Sequence, residues 1–506
     1  MIVLKKEQEK TMKNENSNEN TLPKRSIKQK VVSGLAWTYA ERMLAQLISL
    51  VVTIILARLV EPAEYGIIAI VTVFITIADT FAINGLGNSL IQKKNADHLD
   101  FSSVFYFNIG FSILLYIILY FGAIPISVFY DNPLLIPVLR VMSIRVPIAA
   151  VNSVQQAYVS KRMEFKKFFF ATLFGTLVSA VLGIVLAYIG FGVWALVAQY
   201  MSNTIIDTIV LWFVVGWRPR LEYSWQRMKE LYSYGWKVLA TSLLINIYGN
   251  IQDLIIGKKF YASDLAFSNK GRQFPGLIAS NINTSISKVL FPAISEVQDD
   301  KQRIKALSRR AISVSTYILS PVLIGLAAIS RAFVSILLTE KWLPCVPYLQ
   351  IMCIVFLLQP IQTASIQAMK ALGESGLYLK LELLKKAGGV IILLISVLCF
   401  NSVLAIVVGS LFVEMFSTIV NFPANKKLIN YSYREQFKDV FSTMLISVVM
   451  AAVVLAIGQF MDNKYLELFL QVISGGAVYL ALSKLTGNDN YEYVKSTILE
   501  ILKKRE

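Results

Sequence analysis

Ionisable side chains embedded in apolar runs are the residues of this chain best placed to do chemistry. Glu41 and Arg42 stand in the first such run, Asp79 in the second, Arg140 and Arg145 in the fourth, Asp207 in the sixth and Asp253 in the seventh. Lys270 and Arg272 open the eighth run, Lys385 and Lys386 sit within the eleventh, and Glu414 is midway along the twelfth. A charge at membrane depth costs about 2.5–3.5 kcal/mol on insertion scales, so such groups face a cavity or a partner. The cations Arg42, Arg140, Arg145, Lys270 and Arg272 would line a water-filled cleft and bind an anionic ligand such as a pyrophosphate or an acidic sugar. The carboxylates Asp79, Asp253, Glu41 and Glu414 are candidates for a coupling Na+ or proton, with Asn84 and Asn88 following Asp79, and Asn246 and Asn250 beside Asp253. The competing reading of each charge is an intramembrane salt bridge or a snorkelling end, and that reading is preferred for Lys258, Lys259, Arg331 and Lys370. Glu41 and Arg42 cannot pair well with each other, because neighbouring helical positions point about 100° apart. Arg42 is assigned to the cleft. Arg145 is the best single candidate, being too deep to snorkel.

Other chemistries find no residues. The chain has no Walker lysine, no Asp-x-Asp pair in a basic loop and no external domain to carry an acid or base, which argues against ATP use and glycosyl transfer. Cys345, Cys353 and Cys399 form no CxxC pair and His98 is the single histidine, so no Cys/His metal site and no cofactor are expected. The net charge of +17 sits mostly between apolar runs, a placement that suits lipid headgroups and orientation rather than nucleic acid.

The elements that must position these groups are membrane spans. Of 506 residues, 56% are hydrophobic and 16% charged, against about 45–50% and about 25% in soluble chains. Runs long enough to cross a bilayer lie near 33–59, 65–91, 102–128, 134–160, 167–189, 192–216, 235–258, 265–293, 311–338, 345–370, 377–400, 402–424, 439–461 and 464–484. These predict an all-α integral membrane protein with about fourteen transmembrane helices. Basic clusters alternate with nearly uncharged turns. Lys93/Lys94, Lys161/Arg162/Lys166/Lys167, Arg218/Arg220/Arg227/Lys229, Lys301/Arg303/Lys305/Arg309/Arg310 and Lys426/Lys427/Arg434/Lys438 fall on one side; 131–134, 189–192 and 400–402 carry no basic residue. The positive-inside rule then puts both termini in the cytoplasm, with Lys258/Lys259, Lys341 and Lys464 as exceptions.

The two halves of the chain resemble each other. Leu139 to Ile144 matches Leu349 to Ile354, and Gln156-Ala157 matches Gln367-Ala368. At a similar offset Gly34 aligns with Gly235, Arg58 with Lys258 or Lys259, and Glu64-Tyr65-Gly66 with Asp264-Leu265-Ala266. Six spans separate the copies, so the copies share one orientation. The expected organisation is a disordered basic cytoplasmic tail over 1–32, a first six-span lobe over 33–216, an amphipathic linker over 217–234, a second lobe over 235–424, two appended spans within 425–484 and a polar tail over 485–506.

Ser33-Gly34-Leu35-Ala36-Trp37, the run from Leu56 to Gly66, Gly85-Leu86, the loop from Lys161 to Lys166, Trp217-Arg218-Pro219 and the run from Val289 to Ser295 occur in an order that resembles the polysaccharide transporter family. These are the Wzx-type flippases of the multidrug/oligosaccharidyl-lipid/polysaccharide superfamily. The resemblance implies a V-shaped pair of six-helix lobes that alternate between inward- and outward-open. It implies a bacterial cytoplasmic-membrane protein that moves undecaprenyl-diphosphate-linked glycan to the outer leaflet, among membrane lipids and beside a polysaccharide polymerase complex. The family's cleft cations correspond to Arg42 and Arg145. A drug or metabolite antiporter of the same superfamily and a membrane-embedded polymerase are the rival readings; the antiporter would want an apolar aromatic pocket with a carboxylate.

Overall fold

The structure, a computed structural model, describes residues 27–81 and 85–503. The tail expected over 1–32 lies largely outside these residues, and Asn84 lies outside them too. The helices follow the expected spans closely. Those of the first half are α1 (Ile27–Leu59), α2 (Pro62–Asp79), α3 (Gly85–Gln92), α4 (His98–Tyr130), α5 (Leu135–Ser143), α6 (Arg145–Arg162), α7 (Lys166–Tyr188) and α8 (Val193–Val214). Then come α9 (Trp225–Lys259), α10 (Ala262–Ser295), α11 (Lys301–Leu337), a 3-10 turn (Glu340–Cys345), α12 (Val346–Leu357), α13 (Gln359–Ala371), α14 (Ser375–Cys399) and α15 (Val403–Ile429). The chain closes with α16 (Tyr433–Gln459), α17 (Lys464–Leu485) and α18 (Asp489–Lys503). Among the described residues eleven helical segments are long and apolar enough to cross a membrane. The expected spans in α8, α10 and α14 are long enough but are diluted by polar residues, among them Asn203 and Asp207, Lys270 and Arg272, and Lys385 and Lys386.

Local chemistry sets the breaks. The fourth span parts at Ile144, one turn before Pro147, and the tenth at Leu358, just before Pro360. Proline has no N–H to bond the carbonyl four residues back, so a helix loosens there. α2 and α10 start alike: the Glu61 N–H donates to the Glu64 carboxylate at 3.1 Å, and the Tyr261 N–H to the Asp264 carboxylate at 3.2 Å. These are the segments that the internal alignment pairs. The two starts cross so closely that a Cβ on Gly66 would collide with the Ala262 backbone carbonyl. Leu56, Ile67, Ile70, Val71, Leu139, Met142, Leu196, Ile256, Leu265 and Met352 gather in one buried cluster around that crossing.

Two boundaries differ from expectation. The linker ends early, because α9 begins at Trp225, capped by the Ser224 hydroxyl, and runs unbroken into the seventh span. The segment over 485–506 is not a bare polar tail. Its α18 packs on α11 with Tyr491 and Val494 in the apolar cluster there, and the Arg310 guanidinium lies 3.6 Å over the Tyr493 ring.

The basic residues that break the charge alternation have jobs at helix ends. Lys341 donates to the carbonyls of Arg58 and Val60 and pairs with Glu61, and Lys258 donates to the Phe129 carbonyl. Lys259 bonds the Val397 carbonyl, and Lys464 pairs with Glu340 at 2.6 Å. Each satisfies carbonyls that helix ends leave open or a nearby carboxylate.

Candidate functional site: a polar cleft between α1, α8 and α10

The helices of the two halves enclose a cleft built from polar faces on otherwise apolar helices. α1 presents Thr38, Arg42, Gln46, Ser49 and Thr53 at spacings of three and four, one helical stripe, with Glu41 at its edge. Opposite stand Gln199, Tyr200 and Asn203 of α8 and Gln273 of α10, around a chamber of about 590 Å³. A second chamber of about 470 Å³ shares Ser49, Thr53, Gln199, Tyr200 and Gln273 with it and continues to Asn250, Asp253, Asn269, Lys270 and Arg272. The shared lining makes them compartments of one cleft.

Three of the five expected cations line it. Arg42 is exposed in the first chamber, and no carboxylate among the described residues forms an ion pair with it. Arg272 donates to Asp253 at 2.9 Å and to Asn269 at 2.8 Å, which fixes its guanidinium at the wall of the second. Lys270 is buried, with its ammonium 4.5 Å from the Tyr65 ring centre, 5.5 Å from that of Trp342 and 3.2 Å from the Gln273 amide oxygen. Desolvation there is offset by the ring faces and that one hydrogen bond.

The other two cations tie neighbouring helices together instead. Arg140 turns toward α4, donating to the Tyr120 carbonyl at 3.2 Å and stacking 4.2 Å over its ring. Arg145 pairs with Asp79 at 3.5 Å and lines neither chamber. α6 begins at Arg145, directly after the break, and this aims the side chain at the end of α2. The carboxylates are likewise dispersed. Asp79 and Asp253 each hold a guanidinium with one oxygen and keep the other buried without a partner. Glu41 accepts from the Thr172 hydroxyl at 2.9 Å, Asp207 from the Asn152 amide at 2.7 Å and Glu414 from the Gln362 amide at 2.7 Å. Asn88 of α3 has no place in either chamber lining.

Neutral residues that charge counting passes over, Gln46, Ser49, Gln199, Asn203, Asn269 and Gln273, supply most of the polar wall. Their signal in the sequence is period: polar residues recurring every three or four positions within an apolar run.

Beside the first chamber an apolar groove of about 570 Å³ runs between α1, α10, α11, α16 and α17. It shares Leu50, Phe274 and Leu277 with the chamber and is lined further by Ile329, Phe333, Val472 and Leu480. Polar cleft and apolar groove therefore adjoin along α1 and α10.

Known proteins are similar to this chain in sequence and in fold. It is 24% identical over 86% of its length, and 88% of the relative's, to the lipopolysaccharide biosynthesis protein WzxC of Escherichia coli strain K12. It is 24% identical over 90% of its length, and 96% of the relative's, to the teichuronic acid biosynthesis protein TuaB of Bacillus subtilis strain 168. Its fold superposes on the lipid II flippase MurJ, in an inward closed conformation, with a TM-score of 0.74 over 90% of this chain and 99% of that one, at 13% identity. The family model described as polysaccharide biosynthesis protein matches residues 55–347, more than half of the length, and the chain belongs to that family.

Proposed function

We propose that this multi-pass membrane protein is a flippase for lipid-linked oligosaccharides, moving them from the inner to the outer leaflet of a bacterial cytoplasmic membrane. The junction of polar chamber and apolar groove at Leu50, Phe274 and Leu277 carries the reading. A ligand with a long hydrocarbon tail and a charged, hydroxyl-rich head needs both compartments side by side. The tail stays in the groove, open to lipid, while the head crosses among Gln46, Asn203 and Gln273. Only the head is then desolvated, and amides, hydroxyls and cations replace its water. Arg42 and Arg272, with Lys270 behind them, suit a diphosphate such as that of an undecaprenyl carrier. The protein's membership of the polysaccharide biosynthesis family and its likeness in fold to a lipid II flippase support the same conclusion.

Access alternates, in this proposal, by rocking of the helices of 33–216 against those of 235–424, with both termini cytoplasmic and the α2–α10 crossing closing the outer end. The protein's work is transport rather than bond-making. An antiporter for organic cations would want a free carboxylate in an apolar aromatic pocket; here Asp253 is tied to Arg272 at 2.9 Å, and Glu41, bonded to the Thr172 hydroxyl, shares its chamber with Arg42 and a wall of amides.

Liposomes holding the purified protein and a polyprenyl-diphosphate-linked oligosaccharide provide the test. With protein, the fraction of glycan reached by a lectin added outside should rise with time above that in protein-free liposomes. An unchanged accessible fraction, together with export of a cationic dye on an ion gradient, would replace this reading with the antiporter.

A further inference from the structure

A buried polar file runs down α15, away from the cleft. Glu414, Thr418, Asn421 and Asn425 follow at spacings of four, three and four, so their side chains fall within about 60° of one line along the helix. Thr418, Asn421 and Asn425 are 5%, 0% and 3% exposed, and the file is about 16 Å long. At its upper end the Gln362 amide of α13 donates to the Glu414 carboxylate at 2.7 Å. At its lower end the Asn425 amide donates to Ser365 of α13 at 2.7 Å and to Gln436 of α16 at 3.5 Å. Between them neither the oxygen nor the nitrogen of the Asn421 amide has a partner among the described residues. An unpaired side-chain amide at zero exposure is costly, and a buried water is the ordinary partner for such a group. Below Asn425 the helix ends at the exposed Lys426 and Lys427, which the positive-inside rule puts in the cytoplasm.

The groups around Glu414 select the ion. Lys385 and Lys386 of α14 stand in its field, Lys385 paired with Glu382 and Lys386 4.0 Å from the ring centre of Tyr248 on α9. Two ammonium groups repel a metal ion and a proton alike, but a metal ion also needs several ligand atoms, and no cluster of three His, Cys or acidic side chains able to hold one occurs among the described residues. A proton needs no coordination shell.

We infer that the α15 file is a hydrated path by which protons from the cytoplasmic side reach Glu414, a protonation site separate from the cleft. The step is the transfer of a proton from hydronium to the carboxylate, giving the neutral acid and water. Neutral Glu414 no longer attracts Lys386, so the hold between α14, α15 and α9 changes with its protonation. The use of that change to drive transport rests on the flippase reading; the path itself does not.

Infrared difference spectra of the reconstituted full-length protein test the path without any transport measurement. The wild type should show a carboxylic acid C=O band that grows as pH falls and is missing from Glu414→Gln. In heavy water that band should shift promptly in the wild type and in Asn421→Ser, but at least an order of magnitude more slowly in Asn421→Leu. A Glu414→Gln spectrum identical to the wild type, or equal exchange in Asn421→Leu, would overturn the inference. If Asn421→Leu does not insert, Asn421→Cys in a background with Cys345, Cys353 and Cys399 replaced by alanine serves instead. Its thiol should react with silver ions added to inside-out vesicles, while a thiol that stays unreactive refutes the path. Failure of flipping with these spectra intact would count against the flippase alone.

Discussion

The guanidinium of Arg272 and the carboxylate of Asp253 meet at 2.9 Å across the α9–α10 hairpin, so the charge on the cleft wall depends on a partner from the neighbouring helix. Asp253 is buried and keeps its second oxygen unpartnered, whereas Arg272 is more open to the chamber. Arg272 is thus held ready by a group that does not itself need the ligand.

Removing either member should expose this division of labour. Arg272→Ala leaves a buried carboxylate unpaired, with an expected stability loss of about 1–3 kcal/mol. The double variant Asp253→Asn/Arg272→Gln should melt close to the wild type but flip glycolipid about tenfold more slowly, the equivalent of about 1.4 kcal/mol of lost contact. Thermal unfolding in detergent and lectin accessibility in liposomes read the two effects separately. Wild-type flipping by the double variant would show that Arg272 is structural only.

Arg145 and Asp79 pose the same question with the opposite answer expected. Their pair joins the start of α6 to the end of α2 and lines neither chamber. Arg145→Ala should therefore lose export chiefly by destabilising the protein, by about 1–3 kcal/mol for the half-buried Asp79 carboxylate left unpaired. Asp79→Asn/Arg145→Gln should recover both stability and export. If export stays low while the melting temperature returns, Arg145 touches the substrate after all.

Helix positions were legible in the sequence for a physical reason: hydrocarbon demands long apolar runs, and Pro147, Pro360 and the Glu61 and Tyr261 starts punctuate them where backbone chemistry requires. The start of α9 was not. Its first turns are as basic as a loop, and only the Ser224 cap and packing on α3, where Ser89 donates to the Leu231 carbonyl, make them helical. Depth in a span identified Lys270 and Arg272, but depth carries no information on rotation. Arg140 and Arg145 also lie within a span, yet one turns to Tyr120 and the other to Asp79, a partner 66 positions away in the chain.

Arg42 is the exposed cation of the cleft and, unlike Arg272, has no acidic partner among the described residues. Arg42→Ala should leave the melting temperature unchanged, since no buried charge is orphaned. Flipping should fall by about tenfold, the worth of a charge-assisted contact of about 1.5–3 kcal/mol, and Arg42→Lys should restore only part because lysine cannot make the bidentate contact. Full activity in Arg42→Ala would remove it from the site.

The groove offers a test that never touches a charge. Gly476 lines it, and a Cβ added there meets no heavy atom within 4 Å, so a larger side chain grows into open groove rather than into packed helix. Gly476→Trp should therefore fold and insert normally. If the groove holds the lipid tail, the variant should flip long polyprenyl carriers poorly while still moving a headgroup linked to a short chain, because the polar chamber is unaltered. Equal rates for both chain lengths would place the tail elsewhere.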